Sequence, residues 1–268
     1  MTILVTGATG NTGRHVVAEL LGRGRAVRAL TRDPGRAAEL LPAGTEVVAG
    51  THTEPGTLDT ALDGVTGLHI TVTAGVAETG PELVRRAVAA GVERITILWG
   101  GYVGPAETAV AASGVAWTRL EPQEFMANAL TWRESIRAEG VVREPFDLPS
   151  AVVHEGDLGA IAALAHTEEG HAGRAYNLNG PEALTTGERV ALLAAALGRD
   201  ISFAQISGEA AVDRLLRAGV SRADAEYVIG WHADPPAAAR VPDGTVERLL
   251  GRPARTFADW VTEHKDRF

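Results

Sequence analysis

At 268 residues the chain suits one doubly wound α/β domain with a modest appendage, and its 45% apolar residues supply a large core. Cysteine is absent, which excludes a disulfide framework, a thiol nucleophile and a thiolate metal site. The formal charge is −9 and the 25 basic residues are scattered rather than striped, which argues against a nucleic-acid partner.

Residues 3–13 read Ile-Leu-Val-Thr-Gly-Ala-Thr-Gly-Asn-Thr-Gly. An apolar run is followed at once by glycines at 7, 10 and 13, and then by Val16, Val17, Leu20 and Leu21 at helical spacing. The order is strand, tight glycine turn, helix. Gly7 permits the sharp turn, Gly10 lets the backbone approach a pyrophosphate, and Gly13 lets the helix pack close to the strand. Free N–H groups at the helix N-terminus then face the phosphates. Gly7, Thr9, Gly10, Asn11, Thr12 and Gly13 are the candidate cofactor residues of this turn.

Strands are then expected at 25–30, 46–49, 68–73, 94–98 and 116–120, with helices at 34–41, 57–62, 81–90 and 106–112 between them. Six short apolar strands separated by helices predict an α/β fold, a doubly wound parallel sheet in the order 3-2-1-4-5-6. Beyond Pro122 the alternation breaks. A helical stretch is expected at 125–138, a loop at 140–150, and a helix at 157–166 with Asp157 as its N-cap. A strand at 175–178, a helix at 186–197 capped by Thr185 or Thr186, and a strand at 201–206 follow. From Glu209 short helices alternate with Pro235-Pro236 and Pro253. The division expected is a dinucleotide-binding core over 1–121 and a smaller α/β substrate-binding lobe over 122–268, partly interleaved with it. The chain enters a strand at once, with no room for a signal peptide, and no apolar run approaches a membrane span, so a cytoplasmic location is expected.

The single lysine is Lys265, and none of Tyr102, Tyr176 and Tyr227 has a lysine four residues on. The Thr-Gly-Ala-Thr-Gly start with its G-x-x-G-x-x-G spacing resembles the short-chain dehydrogenase/reductase superfamily, most of whose members use a Tyr-x-x-x-Lys pair as acid and base. Lacking that pair, this chain is similar to the atypical, NmrA-like branch. The blocks at 90–95, 112–118, 122–128 and 153–158 follow in the order of that family, so the resemblance covers nearly the whole chain. It implies a Rossmann fold and an NAD(P) cofactor.

Strand two ends Thr31-Arg32-Asp33. An acidic residue there accepts from the ribose hydroxyl of NAD, whereas an arginine pairs with the 2′-phosphate of NADP. Arg32 favours NADPH over NADH, with a plain surface Arg–Asp loop as the alternative. Relatives carry Gly-Asp after strand three, the Asp contacting adenine; here Gly50-Thr51 stands in that place, and Thr51 keeps one hydroxyl contact. Thr73, Ala74 and Gly75 are small enough for the middle of the cofactor to lie against them.

Relatives have a serine pair at the end of strand five, where this chain reads Leu98-Trp99-Gly100-Gly101-Tyr102. Trp99 offers a stacking surface for an aromatic substrate, or packs as a core tryptophan. Tyr102 and His154 are the candidate proton donors, each with a structural alternative, and Glu107 reads as a helix-start residue. In the segment after strand six, Gln123, Glu124 and Asn128 supply polar groups and Phe125 and Met126 apolar walls for a substrate pocket. The eight histidines show no metal-binding spacing, so no metal is expected. The expected activity is NADPH-dependent reduction of a small conjugated or aromatic ketone, enone, quinone or imine. A non-catalytic dinucleotide redox sensor and a non-redox biosynthetic enzyme stay open beside it. The expected partner is a small-molecule substrate, with neither nucleic acid nor membrane, and homodimerisation is left open.

Overall fold

The computed structural model describes Met1–Phe268. In chain order its elements are β1 Thr2–Thr6, α1 Gly13–Gly22, β2 Ala26–Thr31, α2 Pro34–Leu40, β3 Thr45–Ala49, α3 Leu58–Leu62, β4 Val65–Ile70, α4 Val76–Ala89, β5 Arg94–Leu98, α5 Pro105–Ala112 and β6 Ala116–Pro122. A 3₁₀ stretch over Met126–Trp132 leads to α6 Arg133–Glu139, β7 Val141–Glu144, α7 Glu155–Thr167, β8 Arg174–Leu178, α8 Thr186–Leu197 and β9 Ser202–Gln205. Short helices α9 Gly208–Arg217, α10 Arg222–Ala233, α11 Ala237–Arg240, α12 Thr245–Leu250 and α13 Phe257–His264 complete it. No helix is long and apolar enough to cross a membrane.

The chain divides into two compact units. The first comprises Met1–Pro122 and Glu155–Leu178, and holds a seven-stranded parallel sheet in the order β3-β2-β1-β4-β5-β6-β8. The expected six-strand order is present, and β8 adds a seventh strand beside β6. β1, β4 and β5 are buried on both faces, as parallel strands covered by helices on each side must be. α7 packs on α1, where Gly159 is required: a Cβ there would stand 2.7 Å from the His15 side chain. Gly67 in β4 gives room to the His166 ring of α7 in the same way. His69 and His166 share the Thr96 hydroxyl in this interior, at 2.7 and 2.9 Å.

The second unit comprises Gln123–His154 and Asn179–Phe268. Its core gathers Met126, Trp132, Ile136, Val190, Leu193, Phe257 and Trp260. Phe257, Trp260 and His264 stack along α13, with centroids 5.6 and 4.4 Å apart. Thr185 caps α8 through a capping box, its hydroxyl accepting from the Glu188 N–H and its own N–H donating to Glu188.

Four expectations are corrected. β4 ends at Ile70 rather than 73, because the chain turns at Thr71 toward a left-handed Gly75 and enters α4 five residues early. Pro81 therefore lies inside α4, where it forgoes one backbone bond instead of starting the helix. The expected loop at 140–150 contains β7, which pairs in parallel with β9; four residues are too few to show a period. Asp157 is not an N-cap: α7 begins at Glu155, and Asp157 is a fully buried member of its first turn.

Candidate functional site

The turn from β1 into α1 takes its shape from glycine. Gly7 has φ +61, and a Cβ on it would press to 3.0 Å from Thr71. The Gly10 N–H donates to the Gly7 carbonyl at 3.0 Å. At Gly13 a Cβ would lie 2.2 Å from that carbonyl, so no side chain fits. Thr12 precedes α1 without capping it through its side chain, and the first turn holds no acidic residue. The turn thus presents backbone N–H groups and a positive helix end to an anion.

Beside this turn opens a cavity of about 340 Å³, lined among others by Gly7, Thr9, Arg32, Arg36, Thr51, His52, Thr73 and Ala74. Asp33 also lines it, but its carboxylate caps α2 by accepting from the Arg36 N–H at 3.0 Å. Arg32 and Arg36, both exposed, therefore supply the positive charge of this cavity. Gly75 lies just outside it as the left-handed N-cap of α4. Gly10, Asn11, Thr12 and Gly13 form the turn rather than the cavity wall. The sequence reading missed Arg36, one helical turn after Arg32, and His52. The His52 ring is buried between two hydroxyls, Nδ1 at 2.7 Å from Thr79 and Nε2 at 2.6 Å from Thr73. Burial, and then the Arg32 charge, lower its pKa below the ordinary histidine value.

Within the second unit lies a cavity of about 380 Å³. Glu124, Asn128, Trp132, Glu144, Phe146, Arg189, Arg214, Trp231 and His232 are among its lining. Glu124 and Arg189, both buried, pair at 3.0 Å. Burial pushes the Glu124 carboxyl up, but the charges of Arg189 and then His232, with hydrogen bonds from Ser150 and Arg189, hold it below the usual carboxylate range. The Arg189 guanidinium lies 5.7 Å from the centre of the Trp132 ring, and its Nε is buried without a hydrogen-bond partner. Trp132 Nε1 donates to Glu144 at 2.8 Å, and Arg214 donates to the second Glu144 oxygen. Charged groups held in pairs, three aromatic faces and one histidine make a cavity suited to a small flat organic molecule.

The other expected site residues are distributed as follows. Met126 is buried in the core of the second unit, Phe125 makes a backbone bridge to Val153, and Gln123 is half-buried; none lines the 380 Å³ cavity. His154 is buried with Nε2 3.3 Å from the Glu263 carboxylate and lines neither cavity. Trp99 is half-buried, its Nε1 enclosed without a partner. Tyr102 is 58% exposed and lines neither cavity. Glu107 accepts from the Gly104 N–H at 3.0 Å at the start of α5.

Comparison with known proteins agrees with this architecture. The family model described as "NmrA-like family" matches residues 1–117. A (4-alkanoyl-5-oxo-2,5-dihydrofuran-3-yl)methyl phosphate reductase of Streptomyces griseus is 36% identical over 99% of both chains. An NAD(P)H azoreductase of Xenophilus azovorans is 34% identical, again over 99% of both. The NADPH-dependent quinone oxidoreductase QOR2 of Escherichia coli, solved in complex with NADPH, superposes with a TM-score of 0.81 at 25% identity, covering 97% of this chain and 99% of that one. The glycine turn, the parallel sheet and the full-length relatives lead to one assignment: the chain belongs to the NmrA-like family of atypical short-chain dehydrogenases/reductases.

Proposed function

We propose that this protein is an NADPH-dependent reductase of a small conjugated organic molecule. The observation that carries the cofactor reading is the pair Arg32 and Arg36 on one cavity wall, with Asp33 diverted to a helix cap. Two guanidiniums suit the 2′-phosphate, and a capping carboxylate is withdrawn from the ribose hydroxyl that NAD would offer. The uncapped N-terminus of α1 fits the pyrophosphate. Full-length relatives named as reductases support the reaction class.

When bound, NADPH supplies the two electrons of the reduction as hydride. The residues of this chain orient the substrate and deliver the proton. Within the second unit, the 380 Å³ cavity offers a flat conjugated substrate the faces of Trp132, Phe146 and Trp231. His232, on that cavity wall, takes the acid role that the missing Tyr-x-x-x-Lys pair leaves open, transferring its proton to the reduced substrate and regaining one from water. The test follows NADPH oxidation with a panel of quinones, enones, butenolides, azo compounds and imines. Turnover of at least one class, with NADPH preferred to NADH, is the expected result. NADPH binding without turnover of any class would instead favour a dinucleotide sensor.

A further inference from the structure

A chain of hydrogen bonds runs from the Gly75 carbonyl through Thr79 and His52 to Thr73, and placing the Thr79 proton on that carbonyl sets its directions. The Thr79 hydroxyl has one proton, and it goes to the Gly75 carbonyl at 2.8 Å. At 2.7 Å from that hydroxyl, His52 Nδ1 must therefore be the donor. In a neutral ring Nε2 is then the acceptor, and the Thr73 hydroxyl donates to it at 2.6 Å. The lowered pKa of His52 keeps the ring neutral at physiological pH. Thr73 is left with lone pairs only for any molecule in the cavity it lines. Among the other hydroxyls on that wall, Thr6 donates to the His69 carbonyl and accepts from the Thr71 N–H. Thr31 accepts from the Asp33 N–H, and Thr51 and Thr53 share one bond at 3.0 Å.

We infer that the His52–Thr73 pair selects adenine in the bound cofactor, Thr73 accepting from the exocyclic amine of the purine. The inference rests on assigning this cavity to the adenosine end of NADPH. Ribose hydroxyls both donate and accept, so a one-way acceptor does not discriminate through them; the amine only donates. Thr51 lines the same cavity with its hydroxyl engaged by Thr53, and Thr73 supplies the acceptor. His52 is a positioning residue here: it sets the polarity of Thr73 and lets the cavity reject a purine with a carbonyl in place of the amine.

The test compares dissociation constants, by calorimetry at neutral pH, for NADPH and its reduced hypoxanthine analogue. The parent protein is expected to bind NADPH roughly 5- to 30-fold tighter, the range of one or two net hydrogen-bond energies. His52→Phe frees the Thr73 proton, so the ratio should fall toward one by gain of hypoxanthine binding. Thr73→Val should bring it toward one by loss of adenine binding, and it serves if His52→Phe does not fold. A parent ratio near one, or a ratio unchanged in folded His52→Phe, overturns the inference. Arg32→Ala separates the two readings. If it lowers NADPH affinity selectively while the parent ratio is flat, the cavity assignment stands and only adenine selection fails; if it changes nothing, both fall.

Discussion

Arg32 and Arg36 stand four residues apart at the start of α2, and Asp33 between them spends its carboxylate on that helix. On the proposed reading, cofactor choice follows from which side chains the helix start leaves over. Arg32→Ala is expected to weaken NADPH by about 1.5–3 kcal/mol, the worth of a hydrogen bond to a charged group, and to leave NADH nearly unchanged. Titration with both cofactors checks this, and equal losses would contradict it. His232→Gln should lower kcat by roughly 10²–10⁴-fold at constant NADPH affinity, as loss of a general acid does. Tyr102→Phe should keep most of the activity, because that phenol is exposed and outside both cavities. Turnover abolished in Tyr102→Phe with NADPH affinity intact would transfer the acid role to it.

At the scale of elements, the Glu124–Arg189 pair links the segment after β6 to α8, both within the second unit. Each charge is buried, so removing one strands the other. Arg189→Ala and Glu124→Ala should each cost about 3–5 kcal/mol in denaturant unfolding. The double variant should cost clearly less than their sum, since neither charge is then abandoned. Additive losses would mean that the pair contributes packing rather than mutual neutralisation. What could be read from sequence divides along the same lines. The glycine turn and the first six strands were legible because their signals are local: three glycines at fixed spacing, and short apolar runs between helices. The start of α4 was not, since Pro81 is locally a helix starter and only Gly75 upstream shows where the turn occurs. β7 was invisible because its partner β9 lies some sixty residues on. The glycines that shape the turn from β1 into α1 were legible for the same local reason. The 380 Å³ cavity was not: its walls run from Glu124 to Pro235, and only the tertiary fold brings them together.

Considered whole, the molecule carries an acid-sensitive interior. His69 and His166 are fully buried around Thr96, and burial lowers their pKa values from 6.5 to about 4 and about 3. The unfolded chain binds these protons more readily than the folded one. Their neutral forms therefore contribute full stability above pH 6.5, and it declines as pH falls from there toward about 4 and about 3. Each histidine adds a slope of at most about 1.4 kcal/mol per pH unit in that window. Chemical denaturation at stepped pH should show the decline, and His166→Gln should flatten part of it. A stability independent of pH between 6.5 and 4 would show that these rings accept protons without cost.

The return of the chain to its first unit has a bearing on how the protein is made. α7 and β8 belong to that unit, yet they are synthesised only after an excursion through residues 123–154. A ribosome that has released residues 1–122 has produced a sheet whose β6 edge is open and whose α1 lacks the helix that covers it. Vectorial folding of the first unit must wait for residue 178, and until then an apolar face and a free strand edge are open to other chains. A fragment ending at Pro122 should aggregate when expressed alone. The same fragment rejoined to 155–178 through a short linker should be the smaller piece that stays in solution.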